Sequence, residues 1–330
     1  MTAAKRTEIT HTLILMLAAC IWGTAFVAQS VGADHVGAFT YLAGRSWVGV
    51  AFLLPVIACA DRLEKKKTGR TRAPQTPEER KLLIRGGITC GIFLTLASAA
   101  QQIGIAYTTT AKSGFLTALY VVFVPLVSIF LGKRPEKKLW ICVILGVTGL
   151  YFLCMKGSEG LGAGDLWTLL CAFLFSFQIL SVSHFVELTD GIRLSAWQFL
   201  TQSVIATVCM FLLEKPEPAA IRAAVPAILY AGIMSSGVAY TLQIVGQKDL
   251  NPTIASLAMC LESVFSAISG WIVLGETLSA REIFGCTLMF GAIVLSQIPV
   301  PAGRLKRERN AHAPHMERET AGRSRTGQES

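Results

Sequence analysis

The sequence predicts an all-α polytopic membrane protein: ten transmembrane helices forming two five-helix repeats of opposite orientation. Three observations predict it. The apolar residues, 52% of 330, fall into ten blocks of span length. The 30 Lys and Arg gather between alternate blocks. One marker recurs at the same place in each half. Only 15% of residues are charged, against about 25% in an average soluble domain. The mean hydropathy of +0.53 is more apolar surface than one or two soluble cores of this size would hide. All spans are expected to be helices, because backbone groups in lipid must pair within their own segment. A β-barrel would alternate over shorter segments.

Span 1 covers Thr12–Val31. Lys5 and Arg6 ahead of it, and Leu17-Ala18-Ala19-Cys20 within it, resemble a lipoprotein signal and its cleavage site. No polar tether follows Cys20. The run Ile21-Trp22-Gly23-Thr24-Ala25-Phe26-Val27-Ala28 continues to the roughly 20 residues that cross a bilayer, so this segment is expected to stay as a span. Span 2, Ala38–Ala60, leads into a basic loop over 61–82 that contains "EKKKTGRTR". Spans 3 and 4 are Leu83–Tyr107 and Thr110–Leu131, the latter ending in the turn "GKRPEKK". Span 5, Leu139–Met155, closes the first half. The second half holds Leu166–Phe185, Leu194–Leu213, Ala223–Gly246, Thr253–Leu274 and Ile283–Ile298 as spans 6 to 10.

In domain terms, an N-terminal segment 1–11 precedes repeats over 12–155 and 165–298, and a polar, basic tail fills 299–330. The basic loop and the tail have the composition of disordered segments that lie against anionic lipid.

Basic residues set the direction. With the N-terminus inside, the inner loops hold Lys5, Arg6, the stretch Arg62 to Arg85, "GKRPEKK", Arg193, Lys248 and the tail from Arg304. The outer loops hold Lys112, Lys156, Lys215, Arg222 and Arg281. This is the positive-inside bias. It places both termini in the cytoplasm of a bacterial inner membrane. The same bias explains the net charge of +9 without a nucleic-acid partner. The nine cysteines all lie within apolar blocks, lack metal-ligand spacing, and read as packing residues.

The marker is Leu-Gly followed by a charged turn. Residues 117–138, "TALYVVFVPLVSIFLGKRPEKK", end at Leu131-Gly132-Lys133; residues 260–281, "CLESVFSAISGWIVLGETLSAR", end at Leu274-Gly275-Glu276. Each precedes one short Gly-containing span. Five spans per repeat oblige the second copy to sit upside down. The loss of basic residues from the second turn agrees. Inverted repeats belong to transporter architecture, with the substrate site near the midplane between the halves.

Over residues 12–298 the chain resembles the drug/metabolite transporter superfamily, in its ten-helix EamA-type branch. The resemblance rests on Trp22-Gly23 and Phe26, Arg45, "LWICVILGVTGLYFL" (139–153), "SLAMCLESVFSAISGWIVLGETLS" (256–279) and "EIFGCTLMFGAIVLSQ" (282–297). It departs at Ser263 and Tyr120, where family members commonly carry Pro. The resemblance implies a basket of ten helices, spans 1–4 and 6–9 around a central cavity and spans 5 and 10 outside. It also implies export of small metabolites, often amino acids, or of toxic compounds.

Ionisable groups at bilayer depth are costly and are site candidates by default. Arg45, in span 2, either holds a substrate carboxylate through paired guanidinium bonds or is structural, snorkelling outward or bonding free carbonyls. Glu262, inside span 9, either takes up and releases protons during transport or fixes packing. Lys112, at the outer start of span 4, is a solvated helix-end lysine or an anion gate. Gln101, Gln102, Gln178, Gln202 and Gln243, with Gln198, Thr24, Ser113, Thr117 and Ser235, are candidate cavity lining or interhelical hydrogen-bonding groups. Trp22, Tyr107, Tyr120 and Tyr240, with Trp47 and Phe175, are a candidate aromatic lining. Gly146, Gly149, Gly285 and Gly291 are expected to let spans 5 and 10 approach.

A small-molecule secondary transporter embedded in the bilayer, as monomer or homodimer, is the reading these features favour. No phosphate-binding loop is present, and no cofactor or metal is expected. The alternatives are a membrane-embedded lipid-modifying enzyme and a scaffold or receptor. The first lacks support, since His11, His35, His184, His312 and His315 stand at no motif spacing from a carboxylate.

Overall fold

The computed structural model describes residues 3–69, 71, 73–108, 110–132, 135–154, 162–266, 268 and 279–298. Its elements are α1 (Ala3–Ala33), α2 (Ala38–Thr68), α3 (Pro77–Ile105), α4 (Thr110–Ala118), α5 (Tyr120–Phe130), α6 (Lys137–Cys154), α7 (Ala163–Phe185), α8 (Gly191–Leu213), α9 (Pro218–Tyr230), a π-helical segment (Ala231–Ala239), α10 (Tyr240–Gln247), α11 (Pro252–Met259) and α12 (Ala280–Gln297). Span 4 is thus α4 plus α5. Span 8 is α9, the π segment and α10, and α11 opens span 9. The described residues form helices and connecting turns with no strand among them, and seven of the helices are long and apolar enough to cross a membrane. The helices of spans 5 and 10 have 18 residues each. The second marker, Leu274-Gly275-Glu276, the residues Lys133 and Lys156, and the tail from 299 lie outside the described residues.

Two helices run well past their predicted ends. α2 continues from Ala60 to Thr68, through the segment expected to be a loop, and α3 starts at Pro77. Hydropathy marks only the part of a helix that lipid covers, while Lys and Glu are good helix formers in water. Lys65, Lys66 and Lys67 occupy the last turn of α2, where cations meet the negative end of the dipole. Gly69 then takes φ 75° and its N–H bonds the Lys65 carbonyl, an end that glycine adopts without a Cβ penalty. Thr76 caps α3 by accepting from the Glu79 N–H, and Pro77 follows at the first helical position.

The packing pattern is unchanged when the two halves are exchanged. α1 packs on span 8, and its counterpart α7 packs on α3. α3 packs on α8, as span 8 packs on α2. α2 packs on its own counterpart α8, and α5 on α11. α2 and α8 run antiparallel, as equivalent spans of inverted repeats must. The Glu214 carboxylate at the end of α8 accepts from the Phe39 and Thr40 N–H groups at 2.8 Å and the Thr40 hydroxyl at 2.6 Å, capping α2. At the opposite end Arg193 pairs with Asp61 at 2.5 Å.

Contacts also sort the loops by face. Asp61 meets Arg193, His11 Nδ1 meets the Lys248 carbonyl, and Lys138 donates to the Ser296 carbonyl at 3.0 Å. All six lie on the face to which the basic loops belong. Thr40 with Glu214, and Thr108 with Asp165 at 2.6 Å, lie on the other.

Spans 5 and 10 touch backbone to backbone. A Cβ on Gly149 would stand 2.7 Å from the Gly285 carbonyl oxygen, so glycine is needed there. Gly291 differs from expectation: it faces open space, with nothing within 4 Å of a built Cβ.

Glu214→Ala removes an acceptor from three donors at the start of α2. It is expected to destabilise the folded protein by about 1–2 kcal/mol, the scale of a lost helix cap, read as a lower unfolding midpoint in mild detergent by circular dichroism. A midpoint equal to that of the wild type would show that solvent caps α2 equally well.

Candidate functional site

Two spans are interrupted, and at matched places. In span 4 the helix breaks at Leu119, where Leu119 N–H bonds the Leu116 carbonyl and Val122 N–H bonds the Leu119 carbonyl. In span 9 it breaks at Cys260 and Leu261, where Leu261 N–H bonds the Ala258 carbonyl and Ser263 N–H the Cys260 carbonyl. These i→i−3 bonds tighten the chain locally. Aligned on the marker, residue 117 matches residue 260, so the breaks correspond within two residues. Neither Tyr120 nor Ser263 is proline, yet the breaks form.

The interrupted spans meet. Tyr120 Oη donates to Glu262 Oε1 at 3.3 Å, and Ser263 Oγ donates to the Gly114 carbonyl at 3.4 Å. Beside this junction lies a narrow cavity of about 40 Å³, room for a few water molecules. Its polar lining is Trp22, Gln29, Arg45, Gln101, Thr117, Tyr120, Ser235, Tyr240, Gln243 and Glu262, closed by Phe26, Phe175, Ile179 and Met259. A few polar groups set among apolar and aromatic walls are the chemical character of a small-ligand site.

Helical spacing explains how each wall is built. Trp22, Phe26 and Gln29 share one face of α1 at intervals of four and three. Thr117 and Tyr120 flank the span 4 break, as Met259 and Glu262 flank that in span 9. Ser235 and Tyr240 are five apart, which an α-helix would turn to different sides. The π segment corrects this. The Tyr240 N–H bonds the Ser235 carbonyl, an i→i−5 bond that winds the chain loosely and brings both residues to the cavity; such segments recur at functional sites. The Tyr240 ring packs edge-on against Trp22 at 4.8 Å and Phe199 at 5.3 Å.

Of the candidates read from the sequence, Trp22, Arg45, Gln101, Tyr120, Tyr240, Gln243 and Glu262 come together here. The others do not. Gln178 is fully buried and bridges spans, donating to Gln198 Oε1 at 3.0 Å and accepting from Gln243 at 3.1 Å. Gln202 accepts from Ser46 at 2.9 Å and donates to the Leu94 carbonyl. Gln102 donates to the Gln29 carbonyl at 3.2 Å. Tyr107 lies beyond the end of α3 and is 73% exposed, because α3 stops at Ile105. Trp47 is exposed and donates to Thr207. The side chain of Lys112 lies outside the described residues. Gln29 and Phe26 were missed; the interval of seven from Trp22 was the signal for Gln29, while Phe26 reads as a packing residue.

Arg45 is 2% exposed and faces inward, so it does not snorkel. Among the described residues no carboxylate pairs with it, and its Nε has no hydrogen-bond partner.

Residues 10–155 and 162–297 match a family described as the EamA-like transporter family. An uncharacterized transporter of Archaeoglobus fulgidus is 27% identical, over 87% of this chain and 85% of that one. The threonine/homoserine exporter RhtA of Escherichia coli strain K12 is also 27% identical, over 87% and 89%. The uncharacterized transporter YoaV of Bacillus subtilis is 22% identical, over 84% and 92%. One crystal structure superposes with a TM-score of 0.67 at 19% identity, covering 87% of this chain and 96% of that one, which shows a shared fold.

The glutamine bridge gives a test of packing. Gln178→Leu is expected to lower stability by about 1 kcal/mol, two interhelical bonds at about 0.6 kcal/mol each. A double-mutant cycle with Gln243→Leu in mild detergent should return a coupling of about 0.6 kcal/mol; a coupling of zero would rule out the bond.

Proposed function

Because the chain belongs to the EamA-like transporter family, and is therefore a multi-pass membrane transporter, we propose that it exports small metabolites, amino acids foremost, by alternating access. The observation that carries this reading is the junction of the two interrupted spans beside a polar, buried cavity. Residues from both repeats line the cavity. A rearrangement of one repeat against the other would expose it to each side in turn, the pattern of inverted-repeat carriers.

The printed name of RhtA supports threonine and homoserine as first substrates to try. The repeats are taken as 12–155 and 165–298, in a bacterial inner membrane with both termini cytoplasmic, a topology supported by the basic loops sharing one face. The chain works as a monomer or homodimer with a small-molecule substrate in the bilayer.

Glu262 is the proposed coupling group. As a carboxylate it only accepts; protonated, it also donates. Its partner Tyr120 belongs to the other repeat, so gaining or losing a proton changes a bond between the halves. That is how a proton would bias one arrangement over the other.

Two measurements test the reading. Proteoliposomes of the full chain, preloaded with unlabelled threonine or homoserine, are expected to show saturable counterflow of the radiolabelled compound. No flux across a broad panel of amino acids and metabolite analogues would reject transport of this class. Glu262→Gln is expected to leave counterflow measurable and to abolish its response to an imposed proton gradient. An unchanged response would exclude coupling through Glu262.

A further inference from the structure

The cavity lining holds one guanidinium and one carboxyl group, and they do not pair. Glu262 is engaged by Tyr120. Arg45, the largest fully buried side chain, has no described counter-charge, and its Nε is unpartnered among the described residues. Two more buried lining atoms share that condition, Nε1 of Trp22 and Oε1 of Gln243. Buried polar atoms almost always have partners, and each exception asks for an explanation. A buried charge without a counter-charge is strongly unfavourable. Three such atoms, two donors and one acceptor, belong to residues that line the same cavity.

Resting on the reading that this cavity is the substrate site, we propose that Arg45 is the receptor for the substrate's carboxylate and so the residue that sets which charge type the site accepts. A planar guanidinium matches a carboxylate with two parallel bonds, and Trp22 Nε1 adds a donor. One cation in the lining balances one anionic group, so a dianion would keep an uncompensated charge. An organic cation would leave Arg45 bare and add repulsion. The solute's ammonium and hydroxyl hydrogens meet Gln243 Oε1, the Glu262 carboxyl and the faces of Trp22, Tyr120 and Tyr240, which attract cations.

The test uses the full chain in proteoliposomes with threonine and threoninamide as competitors of radiolabelled threonine flux, and thermal unfolding in detergent with each compound as an independent binding readout. Wild-type protein is expected to be inhibited and stabilised by threonine at concentrations at least about tenfold lower than by threoninamide, the scale of a lost charge-assisted bond. Arg45→Lys should keep that preference in weakened form, and Arg45→Gln should lose it. Threoninamide acting as well as threonine on the wild type overturns the proposal, whether or not either variant folds. A preference kept intact by folded Arg45→Gln also overturns it. Threonine-selective stabilisation without flux would sink the export reading while leaving the carboxylate site standing; flux with no selectivity would sink the site alone.

Discussion

Backbone polar groups in hydrocarbon must find partners without help from water, and the rest of this structure depends on that constraint. An intact helix meets it residue by residue. A broken helix does not, so a break is tolerated only where protein buries it. The chain breaks span 4 at Leu119 and span 9 at Cys260 and Leu261, and it sets the two breaks against one another. Ser263 supplies a donor to the Gly114 carbonyl, a group in the opposite repeat. The two breaks thus stand beside one another, tied by side-chain bonds between the repeats. The cavity lies beside this junction, and residues of both repeats line it.

Polar side chains in the membrane then divide into two kinds. Gln178, Gln198 and Gln243 form a chain of amide bonds between spans 6, 7 and 8, and Gln202 joins α8 to Ser46 and to the Leu94 carbonyl. These side chains are buried and each is tied to another span by at least one hydrogen bond, which fixes helix positions. Arg45 Nε, Trp22 Nε1 and Gln243 Oε1 are buried without described partners, which leaves bonding capacity on residues that line the cavity. Gln243 belongs to both kinds: its amide nitrogen is tied to Gln178 while its oxygen stays open. The bonded network therefore positions one of the open groups.

Most of the fold was legible because hydropathy, charge asymmetry and a five-plus-five marker all reflect the bilayer directly. The lining was legible where a polar or aromatic residue stood out against an apolar background, as with Arg45, Glu262, Gln101 and Tyr240. It was not legible where the lining is apolar: Phe26, Ile179 and Met259 look the same as packing residues. Gln178 and Gln202 were indistinguishable from lining glutamines, since composition does not tell which face of a helix meets a neighbour. The π segment carries no hydropathy signal, so the register that brings Ser235 into line with Tyr240 had to come from coordinates. Gln29 was within reach of periodicity alone, seven residues after Trp22. The tail of α2 to Thr68 escaped because charged helix formers read as loop when only membrane burial is scored.

The two ends of the α2–α8 pair constrain how such a molecule can move. Glu214 fastens one end and the Asp61–Arg193 pair the other. The clamps lie 21 residues apart on each helix, from Thr40 to Asp61 and from Arg193 to Glu214. At 1.5 Å per residue that is about 32 Å, close to the thickness of the hydrocarbon core. Each clamp therefore sits near a boundary where water ends, and each joins one repeat to the other. Parting the repeats along this seam breaks charge-assisted bonds at one face or the other. The junction of spans 4 and 9 is held more lightly, by hydrogen bonds of 3.3 and 3.4 Å between side chain and partner. A motion that keeps α2 against α8 and reshapes the span 4–span 9 junction sacrifices the weaker contacts, and it acts directly on Tyr120 and Glu262 in the cavity wall.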